Sequence, residues 1–276
     1  MAGAAGMLKT ALEKDPQNAD LLVMLGDLEY RNGAFAESAQ LLERSLAENP
    51  RQLSVWRQAC AAYLQADALD EGLRVAEEAL LLFPGDLQLV RLAANAEMML
   101  NRNQEAIERF QEGLSILHED EIDAADLEAE FHGSLGFLYD RTKNYVQSDH
   151  HYSSAVRLDS TYAPVLNNYA FSLAERDTLL TESLGMARRA VRIDSANASY
   201  LDTLGWILYK LDDIQGAEEW IGKAVRTGDA SSTVLEHYGD VLNRLGRVEE
   251  AQELWRRAAE KSGGSPSLDE KLDTDG

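Results

Sequence analysis

Histidine and carboxylate side chains are the groups in this sequence that could most readily perform chemistry. Asp149, His150 and His151 together suggest a metal-ligand cluster. Neighbouring residues of a helix point about 100° apart, however, so these side chains do not converge on one ion. We therefore interpret the two histidines as surface residues. His132 and His237 have no nucleophile or paired carboxylate at a catalytic spacing, and the sequence predicts no metal site.

The single cysteine, Cys60, excludes an intramolecular disulfide and a thiolate-rich metal site. It occupies a small-residue position of a helical pattern described below, which predicts a buried, inert thiol. The sequence contains no glycine-rich phosphate loop with Lys and Ser/Thr, and no nucleophile-elbow motif. We expect a protein without enzymatic activity and without a cofactor.

The net charge of the chain limits the classes of molecule that it could bind. The 276 residues include 26 Lys and Arg against 48 Asp and Glu, a net charge of −22. A field of that sign repels phosphate backbones, so nucleic acid and anionic membranes are poor partners. No apolar run is long enough to cross a bilayer. The first residues show no signal peptide, which favours the cytoplasm by default; a periplasmic or membrane-associated location stays open if the chain is a fragment of an envelope protein.

The chain repeats itself, and small residues recur in phase with the repeat. Their spacing is 34 or 35 residues except for one step of 42. The recurring small residues are Gly26, Cys60, Ala94, Gly136, Ala170, Gly205 and Gly239.

Two amphipathic helices are predicted in each repeat. Leu201, Leu204 and Leu208 lie on one helical face, and Ala217 and Ala224 recur at helical spacing further along. Small side chains at such positions let two antiparallel helices approach closely. The pattern therefore predicts an all-α fold made of helix pairs.

The spacing of large, small and proline residues resembles that of the tetratricopeptide repeat (TPR). The residues that carry the resemblance include Leu22, Leu25, Gly26 and Pro50; Trp56, Ala59, Cys60, Tyr63, Ala76, Ala79 and Pro84; Leu135, Gly136, Tyr139, Tyr152 and Ala155; Leu201, Leu204, Gly205, Leu208, Ala217, Ile221 and Ala224; and Leu235, Tyr238, Gly239, Leu242, Ala251, Trp255 and Ala258. The resemblance implies a right-handed superhelical solenoid of antiparallel helix pairs, in which neighbouring repeats share one core.

Three segments follow from this assignment. Residues 1–18 have the spacing of a half-repeat and form a capping helix; residues 19–262 hold about seven repeats; residues 263–276 are short, polar and rich in Gly and Ser, which predicts a disordered tail. An acidic insertion at 118–130 carries seven acids and no base. It either extends the following helix or forms a charged linker, and a solvated connector is favoured over a surface for a basic partner.

The resemblance also implies that the first helix of each pair lines an inner groove. The candidate partner-binding residues carried over from the family pattern are Arg57, Arg91, Asn95, Phe137, Asn167, Asn168, Phe171, Asp202, Trp206, Glu236 and Asp240. The aromatic residues among them either anchor a partner's side chains or pack between adjacent first helices. The clamp with which some TPR domains hold a C-terminal carboxylate is incomplete, because Ser134 and Pro164 replace two of its polar residues.

The last predicted helix exposes an end that no further repeat covers. Leu254 and Trp255 lie on it. Either the tail folds back over them, or they form an apolar end that supports end-to-end self-association.

These observations favour a non-enzymatic scaffold that binds a peptide or a partner protein in the groove. The repeat pattern is similar to the C-terminal portion of longer bacterial TPR proteins. Two alternatives therefore stay open: a fragment of an envelope-associated adaptor lipoprotein, and the targeting arm of a larger enzyme.

Overall fold

The computed structural model describes residues 2–120, 122–228, 230–264 and 266–273. Within these ranges every regular element is an α-helix. The prediction of an all-α, TPR-like arrangement of helix pairs is confirmed. The chain divides into two compact units, residues 1–144 and 145–276.

The first unit is a run of antiparallel helices joined by short turns. Its helices are α1 (Ala2–Lys14), α2 (Ala19–Arg31), α3 (Phe35–Glu48), α4 (Leu53–Gln65), α5 (Leu69–Leu82), α6 (Leu87–Met99), α7 (Asn103–Glu119) and α8 (Ala125–Arg141). In the predicted repeats, α2, α4, α6 and α8 are first helices, and α3, α5 and α7 are second helices.

The second unit has the same construction. Its helices are α9 (Tyr145–Leu158), α10 (Ala163–Glu175), α11 (Leu180–Ile193), α12 (Ala198–Lys210), α13 (Ile214–Arg226), α14 (Ser232–Arg244), α15 (Val248–Ser262) and α16 (Pro266–Asp273). Here α10, α12 and α14 are first helices, and α9, α11, α13 and α15 are second helices.

The sequence predicts one continuous array over residues 19–262, whereas the two compact units divide the fourth predicted helix pair, α8 and α9. The buried apolar clusters follow this division: one ends with Leu135 and Leu138 in α8, and another begins with Tyr152 in α9.

Side-chain caps fix where several first helices begin. The carboxylate of Asp86 accepts a hydrogen bond from the backbone N–H of Leu89 at 3.0 Å, and Asn18 and Ser231 cap α2 and α14 in the same way. Each cap satisfies one of the N–H groups that a helix start leaves without a partner.

Small residues allow the close helix packing that the repeat requires. A Cβ added to Gly205 of α12 would lie 2.4 Å from Cγ1 of Ile221 and 3.2 Å from the carbonyl oxygen of Ala217 on α13. The two helices therefore touch at a point where even a methyl group does not fit.

The acidic insertion 118–130 is mostly helical. It contributes the last residues of α7 and the first turn of α8, each of which has 17 residues, compared with 13 or 14 in the other helices of the first unit. The connection between them is short, and one of its residues, Glu121, lies outside the described ranges. The helix-extension alternative is therefore the better description of the described part.

The tail prediction is wrong for residues 266–273, which form α16 rather than a disordered segment. Leu268 is the physical reason, because its side chain is only 1% exposed and joins the buried cluster that contains Leu254 and Trp255. Of the predicted tail, Ser265 and residues 274–276 lie outside the described residues.

The folded tail also bears on the two alternatives for the end of the array. Leu254 is 6% exposed and Trp255 is 5% exposed. The described residues therefore fit the alternative in which the tail folds back, and self-association through Leu254 and Trp255 stays a prediction.

Candidate partner-binding face

Within each unit, successive first helices contact one another directly. These contacts join α4 to α6 in the first unit, and α10 to α12 and α12 to α14 in the second. No comparably extensive contact joins two second helices in the part of the chain that the structure describes. We call the surface that the first helices of each unit present the first-helix face; the resemblance predicts that it lines the groove.

In the first unit, ion pairs engage the predicted basic residues of this face. The guanidinium of Arg57 pairs with Asp86, which is the cap of α6, and Nε of Arg57 donates to Oδ1 at 3.0 Å. Burial would raise the pKa of Asp86, but the Arg57 guanidinium and the Leu89 N–H lower it overall. Nη1 of Arg91 lies 3.1 Å from Oε1 of Glu130. The side chains of both arginines are thus engaged in ion pairs within the chain.

The other predicted residues of the first unit differ in exposure. Asn95 is half-buried. Phe137 is 37% exposed, and the guanidinium of Arg141 lies 5.5 Å from the centre of its ring. Phe137 belongs to the first unit, whereas Phe171 and Trp206 belong to the second, so the predicted stripe of three aromatic residues is divided between the units.

In the second unit, α10 presents two neighbouring asparagines with different surroundings. Asn168 is exposed, whereas Asn167 is 7% exposed. Nδ2 of Asn167 donates to Oδ1 of Asn168 at 3.3 Å, and Oδ1 of Asn167 is buried without a hydrogen-bond partner. Half-buried Phe171 lies one helical turn further along α10.

Aromatic rings from three successive first helices meet beside these asparagines. The imidazole of His237 (α14) stacks on Trp206 (α12), with ring centres 3.9 Å apart, and lies 6.2 Å from the ring of Phe171 (α10). Trp206 is 9% exposed, and its indole N–H donates to Oε1 of Glu175 at 2.7 Å. Trp206 therefore packs between first helices, while Phe171 keeps part of its ring accessible.

A buried contact between a histidine and an aspartate holds this ring cluster in place. Nδ1 of His237 lies 2.9 Å from Oδ2 of Asp202, and both residues are buried. Burial alone would lower the pKa of His237, but the charge and hydrogen bond of Asp202, helped by Asp240 and Glu175, raise it overall. The predicted residue Asp202 thus positions an imidazole instead of facing an open groove.

The two predicted acidic residues of α14 are already occupied within the chain. Nζ of Lys271 on α16 lies 2.8 Å from Oε1 of Glu236 and 2.7 Å from Oδ1 of Asp240. The tail helix therefore reaches the first-helix face at the last repeat. The open part of that face in the second unit is the region of Asn168 and Phe171.

Comparison with known proteins identifies the fold. Residues 1–63 match the tetratricopeptide repeat family. A chain from the crystal structure of the APC/C hetero-tetramer Cut9–Hcn1 superposes with a TM-score of 0.74 at 14% identity, over 98% of this chain and 52% of that one. This chain has the fold of a tetratricopeptide repeat protein. It spans about half the length of that Cut9–Hcn1 chain.

Two further TPR structures have similar folds. A TPR protein from Parabacteroides merdae ATCC 43184 gives a TM-score of 0.71 at 13% identity, over 93% of this chain and 98% of that one. YrrB, described as a TPR protein with an unusual peptide-binding site, gives a TM-score of 0.51 at 17% identity, over 71% of this chain and 97% of that one. No protein of curated function matches this sequence.

A departure from the repeat pattern marks one feature that the sequence analysis did not identify. Glu97 occupies the TPR position that Tyr63 and Leu208 occupy in other repeats, yet its side chain is 4% exposed. Oε1 of Glu97 pairs with Nη2 of Arg109 at 2.8 Å, while Oε2 is buried without a hydrogen-bond partner. A comparison of equivalent positions across the repeats would have revealed this substitution.

In the described ranges, no three His, Cys, Asp or Glu side chains are grouped so that they could hold a metal ion. His150 is exposed as predicted, but His151 is buried, at 8% exposed, and the two rings contact each other edge to face. The surface assignment of His151 is therefore wrong.

Cys60 is fully buried, and burial raises the pKa of its thiol to about 12. The expectation of a buried thiol is therefore met at this position. Among the described residues, no helix combines the length and apolar character that a bilayer-spanning segment needs.

Proposed function

We propose that this chain is a non-enzymatic scaffold that binds an extended segment of a partner protein across the first-helix face of its second unit. The TPR fold is typical of protein–protein interaction scaffolds. The fold alone does not specify a site, so the location of binding depends on the residues of α10 and their neighbours.

The orphaned oxygen of Asn167 is the observation that carries the proposal. An acceptor that is buried without a hydrogen bond costs about 1–3 kcal/mol. The oxygen is covered in the unbound chain, so the Asn167 side chain would turn toward its exposed neighbour Asn168 to accept a backbone N–H of a bound segment. The amide of Asn168 offers polar contacts beside it. An extended backbone has donors and acceptors on both sides, which suits this pair of amides.

Phe171 supplies the apolar part of the site. Its ring packs partly against the core of the second unit and is partly accessible. Because aromatic residues in partly buried positions contribute strongly to interface energies, we expect an apolar side chain of the partner to pack on it.

The charge of the surroundings favours a neutral or basic partner segment. Glu175, on α10 near Phe171, is exposed, and the net charge of the whole chain is −22. Like-charge repulsion disfavours an acidic segment at this face.

A displayed library of random 12-residue peptides, selected on the intact chain, tests the proposal. We expect a recurring neutral or basic motif with one large apolar residue. Phe171→Ala and Asn167→Ala should each weaken the selected peptide by about tenfold, the effect of losing roughly 1.4 kcal/mol. Arg188→Ala, on an exposed position of α11, is the matched control and should bind normally. Selection of no motif, or equal binding by all four proteins, would refute the site.

A further inference from the structure

Helix α16 lies in register with the repeats although the repeat pattern ends before it. Pro266 follows Ser232, the first residue of α14, by 34 residues. Helix α16 therefore occupies the place that the first helix of a further repeat would take. It packs against α15 and contacts α14 through side chains.

The contacts of α16 are of two chemical kinds. Leu268 is buried in the apolar cluster that includes Trp255, and Leu272 packs against the same cluster. The ammonium of Lys271 lies between the carboxylates of Glu236 and Asp240. The covered surface therefore accepts a helix that presents two leucines and one lysine along a single face.

Trp255 and Asp240 connect the two kinds of contact. The indole N–H of Trp255 donates to Oδ1 of Asp240 at 3.1 Å, and the ammonium of Lys271 lies 5.9 Å from the centre of the Trp255 ring. An aromatic ring beside paired carboxylates is a favourable environment for an ammonium group. Burial raises the pKa of Asp240 in spite of Lys271, so this carboxylate depends on a cationic partner.

Helix α16 is held by fewer buried side chains than the preceding helix α15 is. Only Leu268 of its eight residues is buried, whereas α15 buries Ala251, Leu254, Trp255 and Ala258. Helices of two turns are marginal by themselves. Gly263 and Gly264, which follow α15, both have positive φ angles (77° and 95°), a backbone region in which glycine is unstrained. These two glycines form the C-cap of α15, where the N–H of Gly264 donates to the carbonyl oxygen of Ala259 at 2.9 Å, so the end of α15 is satisfied without α16.

We propose that the surface of α14 and α15 beneath α16 is an exchangeable docking site for a partner's amphipathic helix that presents a lysine beside leucines, with α16 as its intramolecular competitor. Charge complementarity selects the lysine, because Glu236 and Asp240 would otherwise face each other without a cation. This inference goes beyond the peptide site at Asn167 and Phe171 and does not depend on it.

A peptide with the sequence of residues 263–276 is the probe, titrated into the full chain. Fluorescence anisotropy of the labelled probe measures its binding to each protein, and the indole N–H resonance of Trp255, assigned with Trp255→Phe, locates the binding in the variants. We expect the probe to bind the full-length Leu268→Asp variant about tenfold or more tightly than wild type, because a tethered competitor is present at a high effective concentration. Val248→Asp adds the same charge at a partly exposed position of α15 and should behave as wild type.

Two further measurements separate the alternatives. The full-length Lys271→Glu variant, altered only at a partly exposed position, should also bind the probe more tightly than wild type, while a probe carrying the same substitution should lose binding. Equal affinity of wild type and both variants for the probe would overturn the proposal. Sedimentation gives the oligomeric state of the wild type and of Leu268→Asp. A wild-type dimer that becomes a monomer in Leu268→Asp would also overturn the proposal, because a second copy of the chain would then occupy the docking surface.

Discussion

The imidazole of His237 lies flat against the indole of Trp206, with ring planes within 8° of parallel and the Asp202 carboxylate on Nδ1. Three first helices of the second unit are joined by this stack, because Phe171 contacts the same imidazole. The face that the sequence predicts to be an open lining is therefore partly a packed layer.

Protonation of His237 should make the stability of the protein depend on pH. Its pKa in the folded protein is raised above the ordinary value of 6.5, so protonation favours the folded state. The contribution is fully present below pH 6.5 and is lost as the pH rises through the folded pKa, with a slope of at most about 1.4 kcal/mol per pH unit. Urea unfolding of the wild type and His237→Gln between pH 5 and 9 should show a difference that shrinks with rising pH.

Asp202→Asn provides the internal check on this prediction. It removes the carboxylate that raises the pKa of His237 while it keeps the shape of the side chain. The pH dependence attributed to His237 should then diminish. An undiminished pH dependence in Asp202→Asn would assign it to other groups.

Gly205 and Gly185 should respond in opposite ways to the same substitution. Gly205→Ala places a Cβ within 2.4 Å of Ile221 and should destabilise the protein by about 1–3 kcal/mol. Gly185→Ala meets no atom within 4 Å and should stabilise the exposed face of α11 by roughly 0.5–1 kcal/mol. Thermal or chemical unfolding measures both, and similar values for the two variants would contradict the packing argument.

The buried pair of Glu97 and Arg109 should show strong coupling. Glu97→Leu leaves a mostly buried guanidinium without its nearest partner, and Arg109→Leu leaves a buried carboxylate without a cation. We expect each single variant to lose about 3 kcal/mol of unfolding free energy and the double variant to lose less than the sum. A double-mutant cycle from urea unfolding gives the coupling, and additive losses would show that the pair is not a unit.

Cys60 should be unreactive in the native protein. Its side chain is fully buried and the pKa of its thiol is raised to about 12, so almost no thiolate is present at neutral pH. A chromogenic thiol reagent should modify it only after unfolding, with one equivalent per chain in denaturant. Rapid labelling under native conditions would mean that α4 opens locally.

The local helical pattern and the repeat were determined by the sequence. Leucines three and four residues apart and a small residue every 34 positions fix the paired helices, because both depend only on local periodicity. The buried Cys60 follows from the same pattern, since its position recurs as a close contact between paired helices.

Contacts between residues about 30 positions apart were decided by the tertiary structure alone. Trp206 and His237 stack because neighbouring first helices place them face to face, and Lys271 reaches Glu236 because α16 folds back as an additional first helix. Which predicted lining residues stay open depends on such pairings. A repeat period shows that a position recurs on one face, but only the packed helices determine whether its side chain meets a neighbour or remains accessible.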